Sequence, residues 1–352
     1  METTGRVGLV VAGLGGVGSS LVAGVLAARA HLVRPSGSLA ESLRDQAPLA
    51  ELSDLALGAF ELRDDDAYRA SLRAGLLDRS LLDELRPELR AIPAMLGARH
   101  APSRRHLADA LAEDLRGFLA HHRCTRGVVV CTIPGPPEAA SRPGFTAQEV
   151  WAALEESADW ITPAVVYAAA AAEAGCAFVA AGRDAALCAP GIPALFEQKG
   201  LPIAGAGLLG PSAILRETLL QVLALEGMPV AGAASLSTKA EETDARLWSG
   251  AHRTVEMALG SGWAGGSCEL SLELRGQVEL HLAARALDAA LFTELALRAG
   301  RAGAQQWMDA LFAAPLGTTA PHEAGTQTLL ERRARLLAEL PALARSTGRE
   351  AA

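Results

Sequence analysis

The chain has 352 residues, a net charge of −8 and a hydrophobic fraction of 50%. This length suits one large or two medium domains with a sizeable core. The acidic balance excludes nucleic acid as the main partner, because phosphate binding needs a basic face. No apolar run reaches the ~18–20 residues of a membrane helix. The N-terminus also lacks the layout of a signal peptide, so no membrane partner is expected.

The cysteine and lysine contents limit the kinds of metal site and acid–base group that the chain can provide. Five cysteines are scattered along the chain with no spacing typical of a zinc site, which predicts no metal and a reduced, cytoplasmic setting. Of the 32 basic residues that are lysine or arginine, only Lys199 and Lys239 are lysines. An enzyme that depends on ammonium groups for acid–base work therefore has very few available.

The first predicted element is a buried strand over residues 7–12 that runs directly into a glycine-rich turn and then into a helical segment. This order is typical of a dinucleotide phosphate loop, in which glycines let the backbone approach a pyrophosphate at a helix N-terminus. The alternative is an inherited feature of the fold with an empty pocket. The predicted cofactor-binding residues of this turn are Gly13, Gly15, Gly16, Val17, Gly18, Ser19 and Ser20.

Individual roles are assigned within this predicted NAD site. Ser19 and Ser20 are expected to donate hydroxyl hydrogen bonds to a phosphate, and Gly15 is expected to lie closest to the pyrophosphate. Glu61 is either the acceptor of a ribose hydroxyl or a solvated carboxylate in a charged run. Thr132, at the end of another predicted strand, is assigned to the same cofactor site.

Strands and helices alternate up to about residue 205, which predicts an α/β fold with a doubly wound parallel sheet. A proline-rich loop over 133–146 follows one strand, at the kind of strand end where open α/β sheets bind ligands. The predicted helices cover 70–86, 104–122, 163–174 and 192–199, and the later predicted strands cover 127–132, 176–180 and 201–204.

The pattern changes after Gly210. A long helix is predicted over 214–226, and alternating segments at 268–274 and 277–283 predict a β-hairpin around Arg275-Gly276. The hairpin would expose an apolar face and an open edge, so we expect a homodimer or homotetramer formed through it.

The collinear order of these signals resembles the myo-inositol-1-phosphate synthase family over most of the chain. Residues 13–20 (GLGGVGSS) are similar to that family's G-W-G-G-N-N-G-S-T turn, and residues 162–168 (TPAVVYA) are similar to its S-P-S-x-x-Y-A segment. The resemblance implies a family in which NAD oxidises glucose 6-phosphate, an aldol step closes the ring and NADH reduces the product. The order of the predicted elements indicates a Rossmann-type domain of residues 1–205 plus 301–352, with an inserted α+β domain of residues 206–300 that we expect to mediate oligomerisation.

The departures from the family lie at its chemistry. Leu209 and Ala313 stand where the resemblance places lysines that would hold the sugar phosphate and stabilise oxyanions. Arginine-rich composition does not explain this loss, because both replacements are apolar. Lys239 matches one remaining family lysine and is the single catalytic candidate. Beside Glu241 and Glu242 it could equally form a surface ion pair of small energetic value.

Two functions follow from these observations. One is a degenerate synthase homologue that binds a metabolite, peptide or partner protein without catalysis, as an accessory to a biosynthetic pathway. The other is an NAD-dependent oxidoreductase or isomerase that acts on a different, non-phosphorylated substrate. The presence of bound NAD in purified protein would distinguish them best.

Overall fold

A computed structural model describes residues 5–95, 101–136, 146–228, 230–238, 252–259, 268–314, 316 and 327–349. Its strands form a parallel sheet of seven strands in the order β10-β6-β5-β4-β1-β2-β3 and an antiparallel sheet of three, β7-β8-β9. The strands are Val7–Ala12 (β1), Leu55–Phe60 (β2), Ala94–Met95 (β3), Arg126–Cys131 (β4), Ala177–Ala180 (β5), Pro202–Gly205 (β6), Val230–Thr238 (β7), His252–Leu259 (β8), Cys268–Arg275 (β9) and Gly303–Ala304 (β10).

Helices cover both faces of the parallel sheet, so the predicted α/β Rossmann-type fold is confirmed. The helices are Gly16–Arg29 (α1), Leu39–Ser42 (α2), Ala67–Ala74 (α3), Arg79–Glu84 (α4), Arg86–Arg90 (α5), Arg104–His121 (α6), Ala147–Glu155 (α7), Pro163–Glu173 (α8), Gly191–Gln198 (α9), Pro211–Leu225 (α10), Val278–Arg298 (α11) and Leu329–Arg349 (α12).

The two cores follow from the alternation of side chains along each strand. On β1, Leu9 and Val11 point to the face covered by α1 and α11, whereas Val10 and Ala12 point to the face covered by α6 and α8. Both sets are fully buried, which is why β1 appears in the sequence as a continuous apolar run.

The single helix predicted over 70–86 is wrong. Gly75 adopts a left-handed conformation, with φ of 64°, and ends α3 at Ala74. A residue of this conformation commonly terminates a helix. The chain then re-enters helix at Arg79 and again at Arg86, so three short helices replace one.

The predicted hairpin is also wrong, since its second half is the start of a helix. Residues 268–275 do form a strand, β9, but the chain leaves it at Gly276, with φ of 149°, and enters α11 at Val278. The alternation over 277–283 spans only two helical turns, too short to separate a period of 2.0 from one of 3.6. The predicted oligomer loses this basis and stays a prediction.

Helix α11 lies on the parallel sheet, where it packs against α1, β4, β5 and β6. The predicted inserted domain of residues 206–300 includes this helix, and the domain boundaries stay a prediction. The antiparallel sheet β7-β8-β9 instead packs against α10. In the described part of the chain, no helix combines the length and the apolarity that crossing a membrane requires.

The contact between α1 and the turn before it generates a stability prediction. A Cβ atom at Gly18 would lie 2.1 Å from the carbonyl oxygen of Gly13, whereas at Gly24 on the same helix it would meet nothing within 4 Å. We expect Gly18→Ala to lower the free energy of unfolding by about 1–3 kcal/mol through overpacking. Gly24→Ala should raise it by about 0.5–1 kcal/mol through helix propensity. Denaturant unfolding of both variants checks this, and equal stability of the two would contradict it.

Candidate functional site

The turn after β1 is held by hydrogen bonds from two neighbouring strands. The Gly13 N–H donates to the Phe60 carbonyl oxygen at 2.9 Å, and the Thr132 hydroxyl donates to the Gly13 carbonyl oxygen at 2.8 Å. Gly13 has a φ of 95°, and a Cβ there would lie 2.9 Å from Cγ1 of Ile133. Glycine is therefore required at this position by both conformation and space. Thr132 lies at the predicted site, but its hydroxyl stabilises the turn.

The other glycines of the turn have separate roles. Gly15 is the N-cap of α1, and a Cβ there would meet nothing within 4 Å, so the turn is open on this side. Gly18 allows the close approach of α1 to Gly13. A Cβ at Gly16 would lie 3.0 Å from Leu76 and 3.2 Å from Glu279. One glycine for the turn, one for access and one for packing is the pattern of a dinucleotide loop.

The predicted roles of the two serines do not fit this geometry. The Ser19 hydroxyl donates to the Gly15 carbonyl oxygen at 2.7 Å, and Ser19 is only 1% exposed. The Ser20 hydroxyl is buried on the side of α1 that faces α11. Neither hydroxyl lies at the open side of the turn, so an anion there would meet backbone N–H groups at the start of α1, around Gly16 and Val17.

Glu61 is held directly over the turn. One carboxylate oxygen accepts the Leu14 N–H at 3.1 Å and the other accepts the Leu62 N–H at 2.9 Å. Arg73 lies 3.6 Å from the same carboxylate, and the Glu61 side chain is 15% exposed. The expectation of a solvated carboxylate is therefore wrong. Glu61 is a positioned acceptor at the carboxyl end of β2, where Rossmann folds bind a ribose.

A cavity of about 350 Å³ opens beside Gly13 and Glu61 at the carboxyl ends of β1, β2 and β4. Its walls are mostly apolar, and the ring of Tyr167 packs against Phe60 with 5.5 Å between centroids. Burial raises the pKa of the Tyr167 hydroxyl, so it stays protonated. In the sequence, the signals for a site here are the glycine turn, Glu61 and the proline-rich loop after β4, and none of them predicts the apolar walls. The residues that line the cavity include Leu62, Arg104, Leu107, Leu111, Ile133, Ile161, Pro163, Val166 and Tyr167.

Leu209 and Ala313 lie on two segments that pair with each other after β6. The Leu209 N–H donates to the Leu311 carbonyl oxygen at 2.8 Å, and the Ala313 N–H donates to the Gly207 carbonyl oxygen at 2.7 Å. Leu209 is 2% exposed. The fold thus brings together the two positions that the family resemblance assigned to lysines, and it fills them with apolar side chains.

The lysines that the chain does have do not replace these two. Lys199 follows α9 and forms an ion pair with Glu173 at 2.9 Å, at the opposite end of β6 from Leu209. Lys239, the catalytic candidate, lies outside the described residues. Within the described part of the chain, no lysine stands beside Leu209 or Ala313.

A buried ionisable residue, Asp309, lies two residues before Leu311 on one of these segments. Asp309 is 8% exposed, and its carbonyl oxygen accepts from the Arg332 guanidinium at 3.2 Å. Arg332 also forms an ion pair with Glu217 of α10, which connects α10 and α12. Burial raises the pKa of Asp309 to about 7, against the opposing effects of Arg335 and Arg332.

Comparison with known proteins gives the family. A family model described as myo-inositol-1-phosphate synthase matches residues 7–335. The chain belongs to the myo-inositol-1-phosphate synthase family.

Inositol-3-phosphate synthase 1 of Bacteroides thetaiotaomicron is 24% identical over 387 residues, which cover 89% of this chain and 90% of that protein. The crystal structure of inositol-3-phosphate synthase from Caenorhabditis elegans matches with a TM-score of 0.81 at 16% identity, covering 97% of this chain and 86% of that one. A myo-inositol-1-phosphate synthase-related protein from Thermotoga maritima matches with a TM-score of 0.67 at 16% identity, covering 88% and 93%.

Asp309 predicts a pH dependence of stability. Because its folded pKa of about 7 lies above the ordinary value of 3.8, the folded state keeps a proton that the unfolded state loses. The contribution of Asp309 to the stability of the folded state should therefore fall as the pH rises from about 4 to 7, by at most about 4 kcal/mol. Asp309→Asn should flatten this slope, and Asp45→Asn at an exposed site should not. Denaturant unfolding at pH 4.5, 6 and 7.5 measures both, and parallel slopes for Asp309→Asn and wild type would contradict the prediction.

Proposed function

We propose that this chain is a divergent member of the family that has lost inositol phosphate synthesis and serves as a non-catalytic binding protein for a small molecule, peptide or partner protein. The observation that carries the proposal is the pairing of the segment around Leu209 with the segment around Ala313. Stabilisation of a developing oxyanion needs positioned cationic or N–H groups. Here the two positions that the family resemblance assigns to ammonium groups carry a buried leucine and an alanine.

NAD is the cofactor that the family implies, and the residues at the turn fit it. Backbone N–H groups at the start of α1 would hold the pyrophosphate, and Glu61 has lone pairs left for a ribose hydroxyl. The apolar cavity beside Tyr167 would take the adenine base. Bound NAD supplies hydride-transfer chemistry, while the chain's contribution here is binding and orientation.

The second candidate function, an NAD-dependent oxidoreductase or isomerase with a non-phosphorylated substrate, is favoured by one observation. The glycine turn, Glu61 and the adjoining cavity lie together at the carboxyl ends of β1 and β2. A substrate without a phosphate would not need the two lost ammonium groups. Appearance of NADH absorbance when neutral cyclitols or sugars are added to the protein with NAD would favour this candidate over the first.

The proposal predicts no inositol phosphate from glucose 6-phosphate and NAD, because the groups that would stabilise the transition-state charge are absent. Purified protein is incubated with both compounds, and the products are measured by mass spectrometry or phosphorus NMR. The Bacteroides thetaiotaomicron relative serves as the positive control under the same conditions. Product formation above the level of a no-enzyme blank would contradict the proposal.

NAD binding is predicted separately. Millimolar NAD should raise the melting temperature, because a ligand that binds only the folded state stabilises it. Gly15→Val should abolish this shift, since its side chain would project into the open side of the turn. Gly117→Val is the matched control, because a Cβ at Gly117 of α6 also meets nothing within 4 Å. Absence of a shift in wild type would show that the turn is a relic, which leaves the non-catalytic proposal standing without NAD.

A further inference from the structure

A second cavity, of about 200 Å³, lies between α1 and α11 and shares no residue with the cavity beside Glu61. We call it the α1–α11 cavity. One face of α1 contributes Ser20, Gly24 and Ala28, which are spaced by four residues, and α11 contributes Leu280 and Leu287. The segment 33–38, which follows α1, closes a further side.

The space in this cavity depends on Gly24. A Cβ at Gly24 would meet nothing within 4 Å, although the residue sits in the middle of a helix that packs against α11. Glycine in a helix interior is unfavourable by about 0.5–1 kcal/mol relative to alanine. A larger side chain at this position would fill the cavity and stabilise the helix, yet the chain has glycine there.

The wall formed by segment 33–38 is attached to α11 at its last residue, Ser38. Asp288 of α11 is 1% exposed, and its carboxylate accepts the Ser38 hydroxyl at 2.6 Å. The same carboxylate accepts the Leu39 and Ala40 N–H groups, both at 2.9 Å. Hydrogen bonds to a buried charged group are among the stronger ones in proteins. These hydrogen bonds hold the end of segment 33–38 against α11, and so they fix one wall of the cavity.

Two polar groups adjoin the apolar walls. Ser20 is 5% exposed, and its hydroxyl has no hydrogen-bond partner among the described residues. Arg34 lies exposed on the segment 33–38 and lines the cavity. In the described part of the chain, no carboxylate forms an ion pair with Arg34, and no acidic residue lines the cavity. The site therefore has an apolar interior and a cationic rim.

The size and chemistry of the cavity specify its ligand. An apolar cavity of ~150 Å³ is known to accept benzene, so 200 Å³ holds one ring or a short chain with a small substituent. We propose that the α1–α11 cavity binds a small carboxylic acid of about the size of benzoate. Its apolar body lies between α1 and α11, and its carboxylate meets Arg34. This site is independent of the dinucleotide turn and of the proposed function.

The test uses 4-fluorobenzoate as the probe. Its binding is measured by fluorine NMR line broadening and by the change in the melting temperature of the protein. Gly24→Leu should abolish binding by filling the cavity, and Gly117→Leu is the matched control on an exposed helix face. Arg34→Gln should weaken binding about fivefold, as expected for a charge contact at a solvated rim. Arg69→Gln, at another exposed arginine, should leave binding unchanged, and the neutral probe 4-fluorobenzamide should bind more weakly than the acid.

Three results would overturn the proposal. The first is no detectable binding to the wild-type protein when the probe is present at millimolar concentration and in about tenfold excess over the protein. The second is unchanged binding in a folded Gly24→Leu variant, which would place the probe elsewhere. The third is an equal effect of Arg34→Gln and Arg69→Gln. We expect the Gly24→Leu variant to fold, because leucine is a good helix former and the space at Gly24 is open. Its melting temperature checks this.

Discussion

The close approach of α1 to β1 is the constraint on which the rest of the structure depends. Gly18 lies so near the Gly13 carbonyl oxygen that no side chain fits between them, with 2.1 Å left for a Cβ. This contact places the start of α1 directly above the carboxyl end of β1. The open turn at Gly15, the carboxylate of Glu61 and the apolar cavity take their positions from it. The shape of this turn is thus set by helix-to-strand packing, which depends on the glycine backbone.

Helix α11 is the second support of the fold, and buried carboxylates attach it at two places. Glu294 is 1% exposed and forms ion pairs with Arg126, at the start of β4, and with Arg298. Asp288 holds the segment after α1 through three hydrogen bonds. Burial raises the pKa of Asp288, while these hydrogen bonds and Arg285 lower it. Loss of one partner of such a pair leaves an uncompensated buried charge, which is strongly destabilising.

The glycine turn and the residues Leu209 and Ala313 differ in what the fold requires of them. The glycines of the turn are required by backbone conformation and packing, so the fold itself depends on them. An ammonium group that stabilises a transition state contributes nothing comparable to folding, and a buried one is unfavourable unless it is paired. Leu209 is consistent with this reasoning, because its apolar side chain suits a position that is 2% exposed.

The sequence by itself determined the strand–turn–helix at residues 7–29, the alternation of strands and helices in a doubly wound fold, and the family. Local periodicity and glycine placement are properties of short segments, so they can be read without the tertiary structure. It also gave Glu61 as a candidate cofactor-binding residue, without predicting that its side chain is only 15% exposed. The environment of that carboxylate depends on Leu14, 47 residues earlier in the chain.

Other features were decided only by the tertiary structure. The segment 277–283 has a short alternating pattern that suits a strand, and it became helix because residues up to 298 bury a helical face on the sheet. Ser19 and Ser20 lost their predicted phosphate contacts because helix geometry turns one toward its own i−4 carbonyl and the other toward α11. The pairing of Leu209 with the segment around Ala313 joins positions about a hundred residues apart. Only the packing of the whole sheet brings such distant residues together.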